Sequence, residues 1–241
     1  MAAKEKKEGA VVIDRIKTGV PGLDEMMDGG IPRGNLVVLS GDPGSGKTVC
    51  CWQFIYEGIT KYNEPAVYVS LEESEDTIYQ GAIQFGWDLR KFVKEGKLVI
   101  VTVELYDFER LKAAIEDNVR KINAKRVVID PGVIFRLFFD RELDARKRIV
   151  ALGKMLKLIG TTTVITNEIS LDKLTSLYGL EEYVADGVIL LYHTKIKNRF
   201  VRSIAVLKMR NTDITEALRP VKITDSGITV LDKSELFEDV G

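Results

Sequence analysis

Five segments of the chain are continuous apolar runs rather than alternating ones: 35–41, 65–71, 97–103, 125–130 and 161–166. Uninterrupted Val, Ile and Leu runs of this length fit strands buried on both faces, the habit of parallel sheets. Between them lie stretches with helical spacing, at 47–61, 74–85, 88–94, 107–123 and 142–159. Strand and helix in alternation predict right-handed βαβ crossovers, and so an α/β fold with a mostly parallel central sheet flanked by helices. Ahead of this core, VVIDRI reads as a short strand. Thr18 reads as the cap of a one- or two-turn helix with Pro21 in its first turn, stopped by Gly29, Gly30 and Pro32.

The last quarter changes character. Residues 187–195, 200–209, 219–224 and 227–232 are strand-like with short links. Asn198 suits one turn, Ser226 and Gly227 another, so these strands are expected to run antiparallel and to extend one edge of the sheet. The predicted organisation is a charged tail at 1–10, one domain over 11–232 and an acidic tail at 233–241.

Composition narrows the class. The 241 residues are 45% hydrophobic and 29% charged, enough for one substantial core. A net charge of −1 gives no global field that would draw nucleic acid. Arg141, Arg146, Lys147 and Arg148 alternate with acids and read as a solvated helix face. Cys50 and Cys51 are adjacent, a poor arrangement for a disulfide, and His193 is the single histidine, so no metal-binding spacing exists. The start MAAKEKKEGA lacks the apolar region of a secretory signal, and no apolar run approaches the roughly 18 residues of a membrane helix. A reduced, cytoplasmic protein with no membrane association is expected. Scarce Gln with abundant Lys and Glu points to a heat-adapted source.

Candidate chemistry is concentrated at G-D-P-G-S-G-K-T, residues 41–48. It matches G-x-x-x-x-G-K-[ST], after a strand and before a helix, as a phosphate-binding loop requires. Glycines let the main chain curl so that several N–H groups point inward, and the helix N-terminus adds its dipole. Asp42, Pro43, Gly44, Ser45, Gly46, Lys47, Thr48 and Val49 are therefore the expected nucleotide-binding residues. Lys47 would lie between the β- and γ-phosphates, and the Thr48 hydroxyl would ligate Mg²⁺. Asp130, ending VVID at the carboxyl edge of the sheet, is the second metal-side candidate, the alternative being a turn aspartate before Pro131.

Glu72 and Glu73 follow another strand. Either could orient or deprotonate an attacking water, or the pair could cap the helix opening near Ser74; the residues alone do not choose. Lys208 and Arg210, two residues apart in VLKMR, share one face of a strand end. They read either as a solvated end or as a pair reaching a neighbouring subunit's γ-phosphate.

The order of these motifs resembles the RecA-like ATPases and, within them, the KaiC-type family and its single-domain archaeal relatives. The resemblance spans Ile13 to Leu231 and is most specific in T-G-V-P-G-L-D-E-M-M-D-G-G-I-P-R-G (18–34), followed by LEES, VVID, VLKMR and ITDSGITV. It implies a RecA-like P-loop core working as a ring, a homohexamer, with ATP between subunits. It implies that Glu72 and Glu73 are the paired catalytic glutamates. It further implies that Lys208 and Arg210 act in trans with Met209 and Thr212 near the nucleotide, and that Thr224 and Asp225 touch nucleotide across the interface. The chain departs from the two-module clock proteins in having one module, so no autophosphorylation or clock role is implied. Pro131 stands where a small hydroxyl residue is common, and Ile214 where a histidine is often found.

The resulting expectation is a slow, Mg²⁺-dependent ATPase (ATP to ADP and phosphate) with a regulatory output and a protein partner of unknown identity. One rival is a DNA-dependent recombinase-like motor, for which 131–141 would supply Phe135, Phe138, Phe139, Arg136 and Arg141 as a strand-binding loop; those aromatics also suit packing. Another is a nucleotide-sensing scaffold without turnover, with the vicinal cysteines as a redox switch or, alternatively, as buried packing residues.

Overall fold

A computed structural model of the chain describes residues 12–102, 107–131, 141–168 and 185–231. Both expected tails lie outside these, as does most of the aromatic and basic segment after Asp130; Arg141 is described as the N-cap of a helix.

Among the described residues the central sheet has nine strands in the order β11-β10-β9-β8-β3-β7-β6-β4-β5. Its parallel part comprises β3 (Leu36–Gly41), β4 (Ala66–Ser70), β5 (Leu98–Thr102), β6 (Arg126–Asp130), β7 (Thr162–Glu168) and β8 (Gly187–Ile196). Every residue of β3 and β4 is buried, as strands covered on both faces must be. One face carries α1 (Lys47–Tyr62), α2 (Glu75–Ile83) and α3 (Leu89–Lys94), packed through Phe54, Ile55, Ile78 and Leu89 onto Val37, Tyr68 and Val128. The other carries α4 (Phe108–Ile122) and α5 (Glu142–Leu158), packed through Leu111, Ile115 and Leu152 onto Val38, Val67 and Ile129.

β9 (Arg199–Met209), β10 (Arg219–Thr224) and β11 (Gly227–Val230) are antiparallel, as expected. β8 is a correction. It forms a hairpin with β9 yet pairs parallel with β3, Val37 opposite Gly187 through Gly41 opposite Leu191, so the parallel sheet reaches one strand further than the link lengths suggest. In the β8–β9 turn the left-handed residue is Lys197 (φ 53°), not Asn198.

The short helix expected after Thr18 is the second correction. Only Glu25–Met27 form a 3-10 turn. Gly19 (φ 79°) and Gly22 (φ 81°) break the helical path, and Asp24 Oδ1 accepts from both Thr18 N (2.9 Å) and Thr18 Oγ1 (2.8 Å). This segment is closed at its base by a separate two-stranded ladder, β1 (Arg15–Ile16) with β2 (Ile31–Pro32), and tied to the core by fully buried Arg126. Arg126 Nε and Nη2 donate to Glu64 Oε2 (2.8 and 2.6 Å), and Nη1 donates to Lys17 O (2.9 Å) and Phe54 O (2.7 Å). A buried guanidinium satisfied this fully is tolerable where an unpaired one would not be.

Candidate functional site

The glycine-rich loop leaves β3 at Gly41 and enters α1 at Lys47. β8 fixes its start: Asp42 N donates to Leu191 O (3.2 Å), and Asp42 Oδ2 accepts from His193 N (2.8 Å). Gly44 (φ 73°) and Gly46 (φ 104°) lie in backbone regions that L side chains avoid, and a Cβ on Gly46 would meet Ile223 Cδ1 at 2.7 Å. No side chain caps α1 at Gly46, so its first amides are left for a ligand. Lys47 Nζ donates to Gly41 O (2.9 Å) and Asp42 O (3.0 Å) within the loop. Burial pushes its ammonium below the usual range, against the opposing pull of Glu168, Asp130 and Asp42.

Across a cleft of about 450 Å³ stand the carboxyl ends of the neighbouring strands. Asp130 ends β6, with Thr166 Oγ1 of β7 donating to Oδ1 (2.5 Å) and Tyr68 Oη of β4 donating to Oδ2 (2.9 Å). Glu72 and Glu73 line the same cleft. Ser70 Oγ accepts from Glu73 N (3.0 Å) and donates to Glu73 O (2.7 Å), closing a tight loop that presents both acids. Helix capping does not need them, because Ser74 is itself the N-cap of α2 and accepts from Thr77 N. Partial burial, then Asp130, then Glu72 raise the Glu73 carboxyl above its ordinary value.

The cradle and the donor set fit a triphosphate with a hard divalent cation. Positive-φ glycines shape the loop, an uncapped helix start faces the cleft, and Thr48 and Asp130, a hydroxyl and a carboxylate, line the same cleft. Residue reasoning alone did not single out two further members of the wall. Arg202 of β9 donates from Nε to Gly44 O (3.0 Å), and Glu168 ends β7 in the cleft.

The basic pair lies elsewhere. Lys208 is opposite Val188, and Arg210 N donates to Asp186 O (2.9 Å), at the start of β8. That is the amino end of the sheet, some five residues or roughly 16 Å along β3 from the loop, beyond an arginine's reach to its own cleft. Met209 turns its side chain into the core (5% exposed), leaving only its main chain to meet anything outside. Thr212 Oγ1 accepts from Arg15 Nη1 (2.8 Å) and donates to Arg210 O (3.3 Å). Thr224 and Asp225 sit at the β10–β11 turn, and the preceding Ile223 packs over Gly46 of the same chain. The turn thus lies near the chain's own loop, because β10 folds back along β9 toward the cleft.

A phosphate cradle and a strand-end aspartate at the carboxyl edge of a parallel sheet, with antiparallel edge strands beyond, define a RecA-like P-loop nucleotide-binding domain. Comparisons agree. The family described as "ATPase: KaiC" matches residues 16–235. A KaiC-like protein of Pyrococcus horikoshii OT3, known as a crystal structure, superposes with a TM-score of 0.84 at 38% identity, covering 92% of this chain and all of that one. A UPF0273 protein of Methanocaldococcus jannaschii is 36% identical over 90% of this chain and 96% of its own length. The circadian clock oscillator protein KaiC of Acaryochloris marina is 35% identical over 94% of this chain but only 46% of itself, so the chain spans about half of that relative. The chain belongs to the KaiC ATPase family, which makes it a nucleotide-binding protein of ATPase type. Among the described residues no helix is long and apolar enough to cross a membrane.

Proposed function

We propose that the chain is a slow Mg²⁺-dependent ATPase that works as a homo-oligomeric ring, with ATP held between subunits and its nucleotide state read by a protein partner. Main-chain amides of 43–48 and Lys47 bind the β- and γ-phosphates, Arg202 and Ile223 line the cleft from the same chain, and Thr224 and Asp225, next to Ile223, touch the nucleotide. Thr48 and Asp130 would hold the magnesium, which supplies charge neutralisation across the β- and γ-oxygens when bound. Glu73, with Glu72 beside it, orients the attacking water and takes its proton; its raised carboxyl suits a base better than an ordinary one would. Lys208 and Arg210 stabilise the developing charge in the adjacent subunit's cleft.

One observation carries the ring: two cations of the VLKMR motif stand at the end of the sheet opposite their own cleft. The test mixes two variants, Lys47→Ala without activity and Arg210→Ala with kcat lowered to a small but measurable residue. A mixed ring forms some clefts with an intact Lys47 facing an intact Arg210, so activity returns on mixing. No recovery, with full activity in Arg210→Ala alone, contradicts shared sites. Adding single-stranded DNA to the same assay tests the motor alternative, which requires stimulation.

A further inference from the structure

Asp186 is the last residue before β8, 9% exposed, and bound on both sides by the start of β3. Its N–H donates to Leu36 O (2.8 Å), and its Oδ2 accepts from Leu36 N (3.1 Å). The carboxylate is therefore fixed to the first residue of the strand whose last residue opens the phosphate loop. Arg210 binds it as well: Oδ1 accepts from Nη1 at 3.4 Å, and the main-chain O accepts from Arg210 N at 2.9 Å. Lys157 Nζ pairs with Oδ2 at 3.7 Å, leaving Oδ1 to the arginine.

Arg210 is thus tethered through main chain and side chain to one rigid residue, while its side chain stays 62% exposed. An arginine on a strand end otherwise loses several rotatable bonds on docking. Here a carboxylate spends one end of the guanidinium and leaves the rest of the N–H fork open to an oxyanion. We propose that Asp186 is a positioning residue that pre-orients the Arg210 guanidinium for the neighbouring subunit's triphosphate. This inference rests on the shared-site reading above.

Steady-state ATPase kinetics on the assembled protein test it with Asp186→Asn, Arg210→Ala and the double variant. Asparagine keeps an oxygen for Leu36 N but gives up the charge that holds Arg210. Asp186→Asn should lower kcat about tenfold with KM within about twofold, the size expected of lost outer-shell support. It should add nothing in the Arg210→Ala background. If Asp186→Asn does not fold, Asp186→Glu replaces it: the extra methylene displaces the carboxylate, and kcat must again fall with KM held. Unchanged kcat, or an equal loss with Arg210 already removed, overturns the positioning role while leaving the shared site standing. Full activity of Arg210→Ala overturns both.

Discussion

Tyr68 on β4 donates its phenolic hydrogen to Asp130 Oδ2 on β6 at 2.9 Å, from inside the sheet. The ring is 2% exposed, and burial, followed by the charge of Asp130, pushes its own ionisation well up, so it remains a donor. Together with Thr166, it fixes both oxygens of the aspartate that faces the phosphate loop. Parallel neighbours deliver three strand ends to one spot, which is why an open α/β sheet places its ligands there.

Tyr68→Phe keeps the packing and removes one donor. Stability should fall by about 1 kcal/mol, and the magnesium concentration for half-maximal activity should rise about tenfold, as for other lost outer-shell bonds. A magnesium titration with a thermal melt checks both.

The paired acids give a pH signature. Glu73 has a folded-state carboxyl raised above its ordinary value, so it takes up its proton at a higher pH than a free glutamate. Any stability linked to that proton is present at low pH and lost as pH rises through the raised value. Activity runs the other way, falling as pH drops through it. Glu73→Gln should cut kcat by about 10² or more with nucleotide binding intact. Glu72→Gln removes one of the raising charges, so the acid limb of its pH–rate curve should move to lower pH. A larger loss in Glu72→Gln would transfer the base role to Glu72.

The thiols should be silent. Burial alone pushes Cys50 up to about 12 and carries Cys51 well up, with Asp130 and Cys50 adding to it. Cys51 is 1% exposed. A thiol reagent at neutral pH should modify neither cysteine in the native protein and both after denaturation. Rapid native modification with altered activity would restore the redox-switch reading.

Gly58 tests the Arg126 clamp. A Cβ there would overlap the Arg126 guanidinium, whose displacement strands Glu64. Gly58→Ala should destabilise by about 3 kcal/mol despite better helix propensity; urea unfolding measures it.

Much of this architecture is written locally. Runs such as VVID and the loop 41–48 encode strand, turn and cradle within a few residues. Other features depend on register between distant segments. Arg202 touches Gly44 because it lies opposite His193, whose N–H holds Asp42, a link no spacing rule reveals. Asp186 looks like an ordinary acid before a strand until Leu36 and Arg210 converge on it. The parallel pairing of β8 was hidden for the same reason: a short link to β9 signals a hairpin and says nothing of the partner on the other side. Ile223, just before Thr224 and Asp225, reaches Gly46 only because β10 returns along β9, which no local pattern shows.

Calorimetric titration of wild type and Lys47→Ala with a non-hydrolysable ATP analogue and magnesium tests the central claim most directly. The expected result is one site per chain in wild type, with affinity lowered at least about tenfold by losing a charge-assisted phosphate contact. Well-folded wild-type protein that takes up no triphosphate, or equal affinity in both proteins, would contradict it.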